Sequence, residues 1–222
     1  MEYELVRRVL SALEAEGVDY VVIGAVALNL QGLARATEDL DIFVAPTEEN
    51  IRRLRAALLA VFDDPHIEEI TAEDLLGEYP AVQYVPPGGG LHVDILTRLG
   101  EAFRFEDLES ERLDFDGLEV PVVTPATLYR MKKDTVRLRD RGDAERLRLR
   151  FDLEDRTWRA PGEPALFRAI RAAWDFAQRT TRPSFPPGVY KHRSVEEAER
   201  LRERWELANF AAFRARRRSS ER

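Results

Sequence analysis

Two aspartates, Asp39 and Asp41, lie two residues apart at the start of an apolar stretch that ends at Val44. Alternate residues of a strand face the same side of a sheet, so both carboxylates project together while Leu40 and Ile42 face the other way. Two adjacent anions on a largely buried strand repel each other unless a cation lies between them. A hard divalent cation such as Mg²⁺, which prefers oxygen ligands, suits this pair better than solvation at a strand end does.

A third carboxylate, Asp94, lies in a second short apolar stretch, residues 91–96. If that strand neighbours the strand of Asp39 and Asp41, all three carboxylates meet at one end or edge of a sheet. Two cations held there would stabilise the attacking and leaving oxygens of an in-line transfer of a phosphoryl-type group, and the third carboxylate could accept a proton. His92 alternates in phase with Asp94, and we interpret it as a structural or surface histidine rather than a catalytic one.

Two further positions suit phosphate binding. Gly24 lies between an apolar strand and a short helix, where a glycine lets the backbone approach a ligand and the helix offers free N–H groups. Lys132 and Lys133 are two of only three lysines, against 31 arginines. A compact ammonium acts as a point charge on phosphate. Neighbouring residues on a helix do not share a face, so at most one of the two lysines points into the site.

Hydrophobic periodicity, bounded by Gly and Pro breakers, predicts a mixed α/β domain around these residues. Helix caps are expected at Thr47 and at Ser194, where Glu197 completes a capping box. The predicted elements are a helix over 2–16, a strand over 20–23, a short helix over 25–30, strands over 39–44, 79–85 and 91–96, a helix through 51–61, a hairpin with an Asp-Gly turn over 113–123, a helical region over 125–149, and helices over 166–180 and from 195 onwards.

Composition limits the class of protein. With 222 residues, 44% of them hydrophobic and 34% charged, the chain can bury one full core and a small appended unit. It has no cysteine, which excludes a disulfide framework and Cys-ligated zinc. The first residues do not form a secretory signal, and the longest apolar stretch is too short to span a bilayer, so we expect a cytoplasmic protein with no membrane partner.

The net charge of −7 conceals an asymmetry along the chain. Residues 1–130 hold 10 basic against 26 acidic residues, whereas residues 131–222 hold 24 against 15. An acidic half and a basic half indicate either internal docking of one on the other or a polyanionic partner bound by the second half. The sequence leaves both alternatives open.

In combination, these motifs resemble the nucleotidyltransferase (polymerase-β-like) superfamily, in particular its small bacterial abortive-infection and toxin–antitoxin members. The resemblance covers about residues 18–150. It implies an α/β (α+β) fold, with a nucleotidyltransferase domain over 1–155 built on a mixed β-sheet flanked by helices, and a helical, Arg-rich C-terminal extension over 156–222. The motifs that carry it are Gly24-Ala25, Arg35-Ala-Thr37, Asp39-Leu-Asp41, His92-Val-Asp94 and the Lys, Arg and Asp positions of 131–143.

The resemblance also implies roles for single residues. It makes Asp39, Asp41 and Asp94 the catalytic residues and the ligands of Mg²⁺ or Mn²⁺. The nucleotide-binding residues that it implies are Gly24, Ala25, Arg35, Thr37 and Lys132.

Three positions carry a second interpretation. Ala25 departs from the family's Gly-Gly or Gly-Ser turn and offers no hydroxyl, although a backbone N–H contact survives the change. Arg35 and Thr37 could instead be a helix C-terminal cation and a simple cap. A neighbouring group of charged residues fits a structural salt-bridge cluster between two helices better than catalysis; its members are Arg139, Asp140 and Asp143.

The expected activity is metal-dependent transfer of NMP from an NTP such as ATP to an acceptor hydroxyl of tRNA or protein, by a toxin-like protein with a cognate antitoxin. One alternative is an antibiotic adenylyltransferase, which needs a small acidic cleft between the two halves. Another is a binding module that has lost catalysis, which Ala25 supports. Aromatic residues at helical spacing in the extension indicate a core or homodimer surface first, and a nucleic-acid surface second.

Overall fold

The structure, a computed structural model, describes residues 3–77, 79–99, 102–133, 135, 138–152, 164, 166–168, 170–171, 173–174 and 184–220. Its helices are α1 (Tyr3–Ala15), α2 (Gly24–Leu30), α3 (Glu48–Phe62), α4 (Ala72–Leu76), α5 (Pro125–Lys133), α6 (Leu138–Asp152) and α7 (Val195–Ser220). Its strands are β1 (Tyr20–Val22), β2 (Asp39–Val44), β3 (Ala81–Val85), β4 (His92–Leu96), β5 (Arg98–Leu99), β6 (Phe103–Arg104), β7 (Ser110–Asp114), β8 (Glu119–Val123) and β9 (Gly188–His192). Among these helices, none is both long enough and apolar enough to cross a membrane.

Seven of the strands form one mixed sheet in the order β7-β8-β1-β2-β4-β3-β9, and β5 and β6 form a separate two-stranded ribbon. Strand β2 pairs antiparallel with β1 and parallel with β4, and β1 also pairs parallel with β8. The predicted fold class, a mixed sheet flanked by helices, is confirmed.

The register between β2 and β4 determines where the acidic residues meet. Asp39 lies beside His92 and Asp41 lies beside Asp94. Residues paired across adjacent strands face the same side of the sheet, and so do residues two apart on one strand. All four side chains therefore lie on one face, at the N-terminal ends of two parallel strands.

The opposite side of β2 is fixed in the hydrophobic core. Leu40 and Ile42, which alternate with the two aspartates, are both completely buried. Helix α1 packs against α3, and Leu10 and Leu54 of these helices are also fully buried in the same core. Burial of each such side chain contributes about 1.5–3 kcal/mol, so the strand that carries the aspartates has little freedom to move.

Local sequence signals predicted several elements correctly. Thr47 caps α3, since its side chain accepts a hydrogen bond from Asn50 N. The hairpin β7–β8 turns at Asp116 and Gly117, whose φ angles of 56° and 83° are those of a tight two-residue hairpin turn. The helical region predicted over 125–149 contains two helices, α5 and α6.

Strand β9 is a feature that the sequence analysis missed. It pairs antiparallel with β3, from Ala81 opposite His192 to Val85 opposite Gly188, and forms one edge of the sheet. Five residues that follow a Pro-Pro pair give too short a pattern to predict a strand. The C-terminal extension thus supplies a strand as well as helix α7. The predicted boundary between residues 155 and 156 lies outside the described residues, as does much of the helix predicted over 166–180.

Asn50 joins the ends of β1 and β2 that lie farthest from the aspartates. Its side-chain oxygen accepts a hydrogen bond from Asp19 N at 2.7 Å, and its side-chain nitrogen donates to Asp19 O at 2.9 Å and to Ala45 O at 3.0 Å. Asp19 precedes β1 and Ala45 follows β2. One buried amide therefore fixes the spacing of β1, which leads to Gly24, and β2, which carries the Asp39–Asp41 pair.

We expect Asn50→Ala to lower the free energy of unfolding by about 2–4 kcal/mol, because it leaves buried backbone groups without partners. Urea denaturation followed by circular dichroism measures this change. Glu48→Ala, at an exposed position on the same helix, is the matched control and should leave the midpoint unchanged. Equal midpoints for the two variants would contradict a clamping role for Asn50.

Candidate active site

The three aspartates meet on one face of the sheet, and the guanidinium of Arg202 from α7 lies between them. Arg202 Nη1 is 3.1 Å from Asp39 Oδ2, and Nη2 is 3.9 Å from Asp41 Oδ1 and directly contacts Asp94 Oδ2. The exposed fraction of these side chains ranges from 6% for Asp94 to 19% for Arg202. One positive charge is therefore shared by three carboxylates that the sequence analysis expected to come together.

Thr37 and Arg35 hold the loop that leads into β2. Thr37 Oγ1 donates a short hydrogen bond to Asp39 Oδ1, which orients that carboxylate. Arg35 Nη1 is 2.5 Å from Asp143 Oδ2 of α6, and Asn29 accepts from Arg35 N and donates to Arg35 O. Because α2 ends at Leu30 and no helix begins after Thr37 before β2, neither residue acts as a helix-terminal cation or cap.

Gly24 is required by the position of Asp41. Its φ of +66° is in the left-handed region, and a Cβ built there would lie 2.9 Å from the Asp41 Cβ and closer still to the carboxylate. The Asp41 side chain therefore lies directly against the backbone of Gly24. A glycine at this position lets the Asp41 carboxylate lie against the first residue of α2.

Lys132 lies inside the site and Lys133 does not. Lys132 Nζ is 2.5 Å from Asp140 Oδ1 and 3.5 Å from Asp143 Oδ2, which joins α5 to α6. Its side chain is 11% exposed, whereas Lys133 is exposed to solvent. The expectation that only one of the two lysines faces the site agrees with this arrangement, and Asp140 and Asp143 form the predicted link between two helices.

Arg139 also links two helices, but not the same two. Its Nη1 lies 3.6 Å from Glu206 Oε1 of α7, so it links α6 to α7 rather than α6 to α5. The physical reason is helical geometry, because adjacent residues such as Arg139 and Asp140 project about 100° apart and cannot share a face. This exposed ion pair connects α6 to the helix that carries Arg202.

A cavity of about 350 Å³ lies between the sheet end, α5, α6 and α7. It combines cationic groups on the α5–α6 side with carboxylates from β2 and α7. The residues that line it are Gly24, Ala25, Arg35, Asp39, Asp41, Lys132, Arg139, Asp140, Glu199, Arg202, Glu203 and Glu206.

Crowding of the carboxylates separates their pKa values. Burial, and then the charge of Asp39, raise the pKa of Asp41 above its usual range, although Arg202 opposes the rise. Burial also acts to raise the pKa of Asp39, but Arg202, His92 and the Thr37 hydrogen bond outweigh it and hold that pKa well below its usual range. Asp39 therefore ionises first, and Asp41 gains its charge only at a higher pH.

The donor atoms fit a divalent cation. One donor atom each from Asp39, His92 and Asp94 lie within 4.8 Å of one another. Among the described residues, Asp94 Oδ1 and both ring nitrogens of His92 are buried without a hydrogen-bond partner. Buried polar atoms without partners are costly, and a cation among these donors would remove that cost. Carboxylate oxygens are the ligands that Mg²⁺ and Mn²⁺ accept.

Two residues of the site differ from the sequence analysis. Arg202 was not singled out, because nothing local distinguishes it from the other arginines; the one available signal is that Glu199, Glu203 and Arg202 form a polar stripe along α7. His92 is 1% exposed and lies within the site, which excludes the surface alternative of its prediction and leaves the structural one. Its in-phase alternation with Asp94 was the signal that placed it there.

Comparison with known proteins gives one family match. The family model described as "Nucleotidyl transferase AbiEii toxin, Type IV TA system" matches residues 8–216. No curated protein matches the chain. The chain is similar to a Thermotoga maritima crystal structure described as a nucleotidyltransferase, with 21% identity over 67% of this chain and 91% of that chain and a TM-score of 0.39. It is also similar to the crystal structure of ANT(2″)-Ia in complex with adenylyl-2″-tobramycin, with 13% identity over 77% of this chain and 97% of that chain and a TM-score of 0.42.

We expect Gly24→Ala to destabilise the protein by about 1–3 kcal/mol, because the new Cβ meets the Asp41 carboxylate and strains a left-handed backbone. Thermal denaturation measures this change. Gly142→Ala is a control with the opposite expected sign: a Cβ there meets nothing within 4 Å, and alanine favours a helix by about 1 kcal/mol over glycine. A stable Gly24→Ala variant would contradict the close approach of Asp41.

We expect Arg202→Gln to tighten the binding of Mn²⁺ about tenfold, since loss of a competing charge worth about 1.4 kcal/mol changes a dissociation constant by that factor. The same change should lower the melting temperature in EDTA, because three carboxylates lose their counter-charge. Isothermal titration calorimetry and thermal denaturation measure the two effects, with Arg200→Gln on the same helix as control. Weaker Mn²⁺ binding by Arg202→Gln would contradict competition between Arg202 and the cation.

Proposed function

This chain belongs to the AbiEii nucleotidyltransferase toxin family, and from that premise we propose that it transfers an NMP unit from an NTP to a hydroxyl of RNA, in the first place tRNA. The observation that carries the proposal is the meeting of Asp39, Asp41 and Asp94 at one end of two parallel strands, beside a cavity with Lys132 and Arg35 in its wall. A nucleotide requires both features, because its triphosphate is anionic and its reacting phosphorus needs charge stabilisation.

The proposed reaction breaks one bond and forms one. The acceptor hydroxyl oxygen attacks the α-phosphorus of the NTP, and the bond between that phosphorus and the β-bridging oxygen breaks, which releases pyrophosphate. The proton of the hydroxyl passes to Asp94 Oδ2, the oxygen that contacts Arg202, a residue of the cavity wall. The product is an RNA hydroxyl joined to NMP by a phosphodiester.

We assign the divalent cation, Mg²⁺ or Mn²⁺, to Asp39, Asp41 and Asp94. Such a cation supplies charge stabilisation to the phosphate oxygens in the transition state. Thr37 orients Asp39 through its hydrogen bond, and Gly24 leaves room for the Asp41 carboxylate. These two residues therefore serve the reaction by holding the carboxylates in place.

We assign the nucleotide phosphates to the N-terminus of α2 and to the cations beside it. No side chain caps that terminus by a hydrogen bond, and we assign its first backbone N–H groups, at Gly24 and Ala25, as donors to phosphate oxygens. Lys132 and Arg35 approach the cavity from the other side, where Asp140 and Asp143 now hold them. Phosphate would compete with those carboxylates for both cations.

Because the proposed reaction consumes NTP, we place it in the cytoplasm, where the nucleotide pool lies.

The preference for RNA as acceptor rests on the exposed part of α7. Phe210 is 58% exposed and Leu207 69% exposed, and the Arg214 guanidinium lies 5.9 Å from the centre of the Phe210 ring. Exposed aromatic rings beside arginine suit stacking on bases and contact with phosphates. We propose the same exposed stretch of α7 as the contact surface for a cognate antitoxin that binds the protein directly. A homodimer formed through this stretch would compete with RNA for it.

A second candidate acceptor is a small polycation of the aminoglycoside type. The observation that favours it is the acidic side of the cavity, where α7 contributes three glutamates, Glu199, Glu203 and Glu206. Carboxylates in such a cleft attract an amino sugar and repel an RNA backbone. One of them, Glu206, is paired with Arg139, which lowers the net negative charge of the cleft.

The test is an acceptor screen with each of the four α-³²P-labelled NTPs, in Mg²⁺ and in Mn²⁺, against total tRNA, cell protein and an aminoglycoside. We expect label on tRNA and none from γ-labelled NTP. Asp39→Asn and Asp41→Asn should lower transfer about a thousandfold or more, because they remove several kcal/mol of transition-state stabilisation. Asp107→Asn, at a residue that does not line the cavity, should transfer at the wild-type rate.

The acceptor that becomes labelled decides between the candidates. If only the aminoglycoside is labelled, the acceptor is the small polycation and not RNA. If only protein is labelled, the acceptor is a protein side chain. If no acceptor is labelled with any nucleotide, the proposed function is wrong. Equal transfer by Asp39→Asn and the wild type would contradict the assigned site.

A further inference from the structure

We propose that His92 is a further ligand of the divalent cation assigned above to the three aspartates, and that its nitrogen, beside Asp39 and Asp94, makes the site select Mn²⁺ and similar transition-metal cations over Mg²⁺. The inference rests on the proposed function in one respect, the use of a divalent cation, and it deepens that function by naming which cation. The three aspartates alone would not distinguish these ions, because both accept carboxylate oxygens.

The distances fit a single ion. His92 Nε2 is 4.0 Å from Asp94 Oδ1, and one oxygen of Asp39 completes a group whose members lie within 4.8 Å of one another. Two donors that share one such ion, each about 2.1 Å from it, lie about 3–4 Å apart. Small rotations of these side chains therefore suffice to bring the three donors together.

His92 is held in place by packing and not by hydrogen bonds. It is 1% exposed, its ring meets Phe185 edge-on with centroids 4.7 Å apart, and it lies 6.0 Å from the Trp205 ring. Within the described part of the chain, neither ring nitrogen has a hydrogen-bond partner. A buried imidazole that faces a carboxylate without a bond is costly as it stands, and a bound cation would supply the missing partner.

His192 shows how a structural histidine differs in the same protein. It is also buried, but its Nε2 lies 3.0 Å from Gln83 Oε1, across the β3–β9 pair. That contact satisfies the ring and fixes the edge strand. His92 is buried as well but lacks such a hydrogen bond among the described residues. A purely structural role therefore explains the packing of its ring but not the burial of two nitrogens without partners.

Asp94 presents two different edges to its surroundings. Its Oδ2 contacts Arg202, whereas its Oδ1 faces His92 and has no hydrogen-bond partner among the described residues. A cation can therefore bind between His92 and Oδ1 while the guanidinium stays on Oδ2, so Arg202 competes with the cation through its charge and not by occupying its position. The site and the ion pair with Arg202 use opposite sides of one carboxylate.

The ligand type sets the selectivity. Imidazole nitrogen is a common ligand of Mn²⁺, Co²⁺ and Zn²⁺, whereas Mg²⁺ prefers oxygen and retains water. One nitrogen among the donors therefore favours transition-metal ions. A site made of Asp39, Asp41 and Asp94 alone lacks that discrimination.

The test is electron spin-echo envelope modulation of Mn²⁺ bound to the full-length protein without nucleotide. We expect a nitrogen coupling from a directly bound imidazole, which changes to the ¹⁵N pattern when only histidine carries ¹⁵N. His92→Gln should remove the coupling and weaken Mn²⁺ binding about tenfold, with a smaller effect on Mg²⁺. His66→Gln, at an exposed histidine beside Glu69, should keep the coupling.

Each outcome separates this inference from the proposed function. Bound Mn²⁺ without histidine nitrogen coupling in the wild-type protein overturns the role of His92, and NMP transfer would still stand. A coupling that survives in a folded His92→Gln variant also overturns it. Nitrogen coupling in a protein that transfers no NMP would support the metal site and contradict the proposed reaction. The wild-type spectrum decides even if the variant fails to fold.

Discussion

Repulsion among three carboxylates is the constraint on which the rest of the site depends. Parallel pairing of β2 and β4 sets Asp41 beside Asp94, and strand alternation adds Asp39 on the same face. Core residues between the aspartates prevent the strand from turning them toward water. The charge must therefore be balanced locally. Thr37 donates to one carboxylate, Arg202 contacts all three, and Gly24 gives Asp41 room.

The C-terminal part of the chain completes this balance, because β9 extends the sheet and α7 brings Arg202 to the aspartates. This contact supports internal docking as one source of the uneven charge along the sequence. Farther along α7, Leu207 and Phe210 are exposed, and Arg214 lies over the Phe210 ring. The two explanations for a basic second half thus apply to different parts of one helix, with docking at its start and a polyanion surface proposed for its end.

Much of the fold near the site could be predicted from sequence, since β2, α3 and the β7–β8 hairpin each carry a local signal in strand alternation, the Thr47 cap and the Asp-Gly turn. The aspartates could be predicted because alternation and apolar context leave few arrangements. Arg202 could not, since its role depends on how a helix more than 100 residues later in the chain docks. His92 was placed correctly in phase, but its missing hydrogen bonds are a property of three-dimensional packing.

Ala25 was the best argument for a protein that keeps this fold without catalysis. The structure weakens that argument. Ala25 is 3% exposed at the start of an uncapped helix, where the backbone N–H groups remain available whatever the side chain. A binding module, moreover, would have no need of three neighbouring carboxylates, one of them buried, whose repulsion must be offset by an arginine. Such a costly arrangement is expected to persist where charge has to be held for chemistry, which agrees with membership of a transferase family.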